Sequence, residues 1–272
     1  MMARTHLIFF LAIAAGLFFA CDTGLEPTQS GFRGQIFFSG ERPADTDQVM
    51  VVAATRFPPT QISEIFLGEP LPLNRDTVSY TVYSPVQDYA AIGVVWKQVD
   101  QPWDVTNIIG IYLPDSKGFT PIRVNVATSS TMIDSVDILA DYRKAKRAVH
   151  SKVSGTLRAN GEWPADSESI LLIASSQLIP SGLLDLQFAS PIPAPFDSID
   201  YEWTIQPGTY PLFGVLLIRS GQPLGVSSIR GFYSRIPGAL FPSPVAIATD
   251  TSQINSIDIT FDPAKGPFGA QP

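Results

Sequence analysis

Nucleophilic catalysis of the Ser-His-Asp or Cys-His kind needs a histidine. Beyond the amino-terminal stretch this 272-residue chain has only His150, with Gln29 at the matching position of an internal repeat. No Ser-x-x-Lys, Gly-x-Ser-x-Gly, Gly-Lys-Ser/Thr or His-Glu-x-x-His motif occurs, and no Cys/His cluster could hold zinc. Carboxylates are then the remaining catalytic currency, since glycosidases need only two of them across a sugar bond. Those shared by both repeats are Glu41, Asp45, Asp76, Asp137 and Asp141 with their equivalents, most of them beside Gly, Pro or strand ends where acids satisfy turn backbone. Asp45-x-Asp47 and Asp166-x-Glu168 offer oxygen ligands to calcium but lack the rest of an EF-hand-like loop. The residues therefore predict no catalytic site, no metal and no cofactor. A net charge of −7 argues against nucleic-acid partners, which require a basic footprint.

The one cysteine, Cys21, follows a basic start (Arg4) and the apolar run Leu7–Ala20, which is too short to span a bilayer as a helix. Ala20-Cys21 after that run resembles the bacterial lipobox, with Phe18 where Leu is usual three residues before the cysteine. The resemblance implies a lipoprotein signal peptide, lipidation of Cys21 and membrane attachment in the bacterial cell envelope, on the outer membrane in preference to the inner. With Cys21 acylated no intramolecular disulfide forms, so packing has to stabilise the fold.

What positions everything else is a duplication. Residues 30–141 match 151–262 at a constant offset of 121 without a gap, and a little over a quarter of the aligned positions are identical, several times the level ordinary composition gives by chance. Gly34, Gly40, Pro43, Asp45, Tyr80, Tyr89, Gly110, Ser135 and Asp137 recur as Gly155, Gly161, Pro164, Asp166, Tyr201, Tyr210, Gly231, Ser256 and Asp258. A period of that length is a whole domain.

Each copy reads as short β-rich stretches: Ile36–Phe38, Val49–Ala53, Val78–Val82, Tyr89–Trp96, Ile108–Tyr112, Ile122–Val126 and Ser135–Leu139 in the first. Ser39–Pro43 and Asn160–Pro164 look like first-hairpin turns, and residues 55–75 and 176–196 predict an edge strand or one helical turn. The expected fold is all-β, two tandem, similar β-sandwich domains of prealbumin-like or immunoglobulin-like type. The expected boundaries are 1–20 signal peptide, 21–31 tether, 32–141 first sandwich, 142–152 basic linker, 153–262 second sandwich and 263–272 tail. Arg143-Lys144-Ala145-Lys146-Arg147 reads as a solvated linker.

The pattern Gly34-x-Ile36-x-x-x-Gly40-x-x-Pro43 then Val49-x-Val51, repeated from Gly155, resembles the carboxypeptidase regulatory-like domain. Gln206-Pro207-Gly208-Thr209-Tyr210 is similar to that family's proline-glycine-x-tyrosine turn, while Val86-Gln87-Asp88-Tyr89 in the first copy lacks the glycine. The resemblance implies a prealbumin-like sandwich, an accessory module and no catalytic residues.

Aromatic residues supply the candidate binding sites. Trp96 extends an apolar strand and reads as core, whereas Trp103 and Asp104 in a loop, and Trp163 beside the first turn of the second copy, are candidate ligand-binding residues. The reading is a non-enzymatic envelope lipoprotein with structural or protein-interaction modules. The alternative is a glycan- or nutrient-binding lipoprotein of the outer membrane, which would show a flat row of exposed aromatics.

Overall fold

The computed structural model describes residues 30–59, 61–115 and 118–267; Cys21, the expected leader and the tether up to Gln29 lie outside them. In the first copy the strands are β1 (Gly31–Ser39), β2 (Thr46–Ala54), β3 (Ile65–Pro70), β4 (Thr77–Tyr83), β5 (Asp88–Tyr89), β6 (Ala91–Gln98), β7 (Ile108–Ile111), β8 (Val124–Asn125), β9 (Met132–Ile133) and β10 (Ile138–Asp141). The second has β11 (Lys152–Ala159), β12 (Ser167–Ser175), β13 (Leu186–Phe188), β14 (Ile192–Pro193), β15 (Ser198–Thr204), β16 (Gly208–Tyr210), β17 (Leu212–Arg219), β18 (Ile229–Phe232), β19 (Val245–Ile247), β20 (Gln253–Ile254) and β21 (Ile259–Phe261). The protein is all-β, and the strands of the two copies sit at equivalent residues. Even backbone oddities recur: Ser135 and Ser256 have φ of 61° and 62°, and Asp100 and Gly221 have 59° and 70°.

Each copy is a sandwich whose core lies between two layers. β4 alternates, with Val78, Tyr80 and Val82 turned inward and their neighbours exposed, as a half-buried strand should. β2 and β6 are apolar on both sides. Val49, Val51, Ile92, Val94 and Trp96 join the core with Phe32, Ile36 and Ile138, while Met50, Val52, Ala91 and Val95 form an outer face. In the second copy the outer face of β12 and β17 is a hydrophobic cluster of its own, including Leu171, Ile173, Leu186, Leu216 and Ile229.

The hairpins expected at Ser39–Pro43 and Asn160–Pro164 are not hairpins. β1 pairs with β4, β9 and β10, and β2 with β3 and β6, so the turn carries the chain from one layer to the other. Glycine suits this turn because Gly40 and Gly161 have φ of 75° and 141°, which L side chains rarely adopt; a Cβ would also lie 3.0 Å and 2.9 Å from the carboxylates of Asp141 and Asp262. Gly31 and Lys152, expected in the tether and linker, already belong to β1 and β11. The irregular segments, expected to hold an edge strand or one helical turn, hold both: a 3-10 turn (Ile62–Glu64, Leu183–Asp185) and an edge strand (β3, β13).

Four shared residue types build one local device. Gly34 lets the Val136 carbonyl come so close that a Cβ would sit 2.2 Å from its oxygen, and Gly155 does the same for Ile257 at 2.3 Å. That carbonyl accepts from the Tyr80 hydroxyl, or the Tyr201 hydroxyl, at 2.7 Å. The chain is bent away at Ser135 or Ser256, and the carboxylate two residues on takes the place of a ladder acceptor: Asp137 accepts from the Gln35 N–H, Asp258 from the Thr156 N–H. This is why the strand expected at Ser135–Leu139 begins only at Ile138.

Candidate interaction surface

Most of the carboxylates common to both copies are engaged in the fold, whereas Glu41, Asp76 and their counterparts Glu162 and Asp197 are exposed. Asp137 and Asp258 complete strand ladders, and Asp141 and Asp262 hold the backbone N–H groups of Arg143 and of Ala264 and Lys265. Hydrogen bonds and the neighbouring cation hold the Asp258 carboxyl below the usual range. The four carboxylates weighed as calcium ligands are each matched to a cation: Asp45 to Arg147, Asp47 to Lys97, Asp166 to Arg219 and Glu168 to Arg56. His150 is exposed, and its backbone N–H donates to the Asp250 carbonyl. Among the described residues no cluster of His, Cys, Asp and Glu could hold a metal, and no helix is long and apolar enough to cross a membrane.

The tryptophans divide. Trp96 is fully buried and donates its indole N–H to Thr46 at 2.8 Å; Trp203 is buried too. Trp163 is half-buried, donates to the Phe196 carbonyl at 3.0 Å and packs against the rings of Phe196 and Phe261. Trp103 is half-buried with the Lys97 ammonium 6.0 Å from its ring centre. Asp104 is exposed, but its carboxylate is held by the Thr106 N–H and hydroxyl at 2.8 Å, a closed turn. These residues do not form a flat row.

The basic run departs from the solvated reading in part: Arg143 and Arg147 keep exposed side chains, but three of the four cations have partners far away in sequence. Arg143 pairs with Asp141, Lys144 with Asp185 at 3.3 Å and Arg147 with Asp45, and Lys146 donates to the Thr106 carbonyl. Burial pushes the Lys146 ammonium down to about 8, against a smaller opposing effect of Asp104.

That run crosses the seam between the copies, which sequence reasoning missed. Residues 118–120 of the first copy reach over to the second: Phe119 packs on the outer-face cluster of β12 and β17, the Gly118 carbonyl accepts from the Leu183 N–H at 3.1 Å, and the Thr120 hydroxyl donates to the Leu224 carbonyl at 3.0 Å. A crevice of about 350 Å³ lies along the seam, lined among others by Ile108, Lys144, Leu183, Asp185, Gln187 and Tyr210. Its polar groups satisfy one another, Gln187 donating to the Tyr210 hydroxyl at 2.8 Å and Tyr210 to the Gln206 carbonyl at 2.7 Å. It holds no group poised for catalysis.

No protein-family model matches the chain, and no curated protein matches it. Among solved structures it is similar to a leucine-rich repeat protein from Bacteroides thetaiotaomicron, at 12% identity and a TM-score of 0.33 over 86% of this chain; it spans about a quarter of that protein, 26%. It is also similar to GBS52, the minor pilin of Streptococcus agalactiae (11% identity, TM-score 0.21, 85% of this chain and 96% of that one). A third is the shaft pilin SpaA of Lactobacillus rhamnosus GG (7% identity, TM-score 0.18, 89% of this chain and 99% of that one). Likeness at this level transfers no function.

What the surface does offer is exposed apolar side chains. On loop 234–242, the second copy's counterpart of 113–121, Ile236, Leu240 and Phe241 are 69%, 75% and 69% exposed. Leu178 and Ile179 on another loop of that copy are also exposed.

Proposed function

We propose that the chain is a non-enzymatic cell-envelope lipoprotein, attached to a membrane through lipidated Cys21, whose two β-sandwich modules serve structural or protein-interaction roles. The observation that carries this reading is the loop 234–242, with three large apolar side chains in solvent. Single exposed hydrophobic residues are ordinary, but several on one loop mark a surface that another protein covers. The tryptophans and most of the shared carboxylates, by contrast, are engaged within the fold. Support for the lipid anchor comes from the leader and the position of Cys21, and several acyl chains on one cysteine give stable attachment. The motif shared with carboxypeptidase regulatory-like domains supports an accessory role.

The test is metabolic labelling of bacteria expressing the full chain with an alkyne fatty acid, with Cys21→Ser as control and membrane fractionation of both. Label and membrane association are expected together in the wild type and lost together in the variant. An unlabelled, soluble wild type would remove the anchor from the proposal.

A further inference from the structure

The second copy holds a groove of about 600 Å³ between the end of β17, the loop that follows it, β18 and the segment after β21. That is the size of a small-molecule site. Three cations line it, Arg219, Arg230 and Lys265, and among the described residues no carboxylate does. In a chain of net charge −7 this is a local reversal of sign. The seam crevice differs, because two of its lining groups, Lys144 and Asp185, pair with each other.

The three cations are not equally satisfied. Arg219 pairs with Asp166 at 2.8 Å and Lys265 with Asp262 at 3.1 Å. Arg230, half-buried on β18, donates only to carbonyls, those of Ser227, of Pro263 at 3.0 Å and of Ile229 at 3.4 Å. Among the described residues it has no carboxylate partner, and its Nη2 group has no hydrogen bond. Burial, and after it the Arg219 cation, hold the Arg230 guanidinium below its ordinary value, against a smaller opposing effect of Asp262. Three cations against two carboxylates leave one positive charge, which a single negative charge balances. The first copy lacks this arrangement. Gln98 and the buried Ile109 stand where Arg219 and Arg230 stand, and the chain itself takes up the polar groups there. Gln98 accepts from the Ala148 N–H, and the Asn107 amide bonds both the N–H and the carbonyl of Lys146, all at 2.8 Å.

We infer that this groove binds a small organic acid with one carboxylate, which accepts from Arg230 between Arg219 and Lys265 while its apolar part lies on Leu224 and Val226. The Nη2 group offers two N–H donors, and a charge-assisted bond to a carboxylate is stronger than one to a carbonyl. Leu224 and Val226 line the same groove, and Val226 is 42% exposed, apolar surface that such a ligand covers. No residue of loop 234–242 lines the groove, so this inference stands or falls separately from the protein-interaction reading above.

The test uses the full chain in a neutral detergent, labelled with 15N-arginine and titrated with benzoate and with hexanoate while the arginine side-chain signals are followed. Benzamide is the uncharged control and inorganic phosphate the more highly charged one. Both carboxylates should shift the Arg230 and Arg219 signals saturably, benzamide should not, and added salt should weaken the binding. Arg230→Ile installs the residue that the first copy carries; read from the Arg219 signal, it should weaken binding ~10-fold or more, the scale of losing a charge-assisted bond. Because Arg230 also ties Ser227 to Pro263, Lys265→Ala serves as the second variant. It alters an exposed side chain, so its melting curve should match the wild type while binding weakens ~3-fold. An absence of saturable shifts, undiminished binding by both variants, or tighter binding of phosphate than of either carboxylate would overturn the inference. Shifts that appear only once residues 268–272 are removed would assign the groove to the chain's own tail and overturn it too. None of these outcomes bears on the lipid anchor or on loop 234–242.

Discussion

The two copies differ most in how their layers are joined. In the first, β10 pairs with β1 and also with β7 at Ala140 and Gly110, so hydrogen bonding runs unbroken through β3-β2-β6-β7-β10-β1-β4. In the second, β21 pairs with β11 only, and the path is cut into separate sheets. The residues explain the difference. Ala140 is replaced by Phe261, and a Cβ on Gly231 would lie 2.6 Å from the Phe261 Cβ. The Phe261 ring meets Trp163 and Phe196 at 5.8 and 6.2 Å between centroids. Where the two backbones form a ladder the first copy has a methyl; where they do not, the second has a ring that joins an aromatic cluster in the core. The residue at this one position is the difference that the pairing follows.

Swapping that side chain breaks the comparison most directly. Phe261→Ala should cost the second copy about 3–5 kcal/mol, the usual loss for a buried aromatic, read from denaturant unfolding followed by tryptophan fluorescence. Ala140→Phe should cost the first copy about 1–3 kcal/mol through overpacking and speed hydrogen exchange at Gly110. Unchanged protection there would mean that the ring is not what separates the layers.

A smaller effect probes what the copies share. Tyr80→Phe and Tyr201→Phe each remove one buried hydroxyl bond to a carbonyl, and each should cost about 1–2 kcal/mol, nearly equal in the two copies. A marked inequality would show that the Gly34 and Gly155 devices are alike in geometry but not in energy.

The smallest effect concerns an asymmetry, since Lys146 has Pro267 as its counterpart. With its folded pKa near 8, below the unfolded value of 10.5, the unfolded chain binds more protons between these values. Stability should therefore rise with pH from about 8, to the extent this group contributes. Above pH 10 the buried hydroxyls of Tyr80 and Tyr201, raised by burial, oppose it. Chemical denaturation of wild type and Lys146→Met between pH 7 and 9.5 checks the sign; a slope that persists in the variant would assign it elsewhere.

The repeat made most of the architecture legible, because identical residues at a fixed offset had to occupy equivalent places, and alternation or continuous apolarity placed Trp96 and β4 correctly. The turn at Ser39–Pro43 misled, since Gly and Pro specify a local bend but not the layer in which the next strand pairs. The linker misled for a related reason: Arg147 finds Asp45 and Lys144 finds Asp185, partners that only tertiary structure brings near. The seam was least legible of all, because Phe119 is one aromatic among many until the face beneath it is known.

β1 runs parallel to β10, and β11 parallel to β21, with Ile36 beside Ile138 and Leu157 beside Ile259. Each unit is therefore entered at one pole and left at the other. A pull on the two ends would load the bonds between first and last strand side by side, in shear, so that they must give way together. Antiparallel terminal strands would instead peel open one bond at a time. The arrangement suits a module strung between two points under tension.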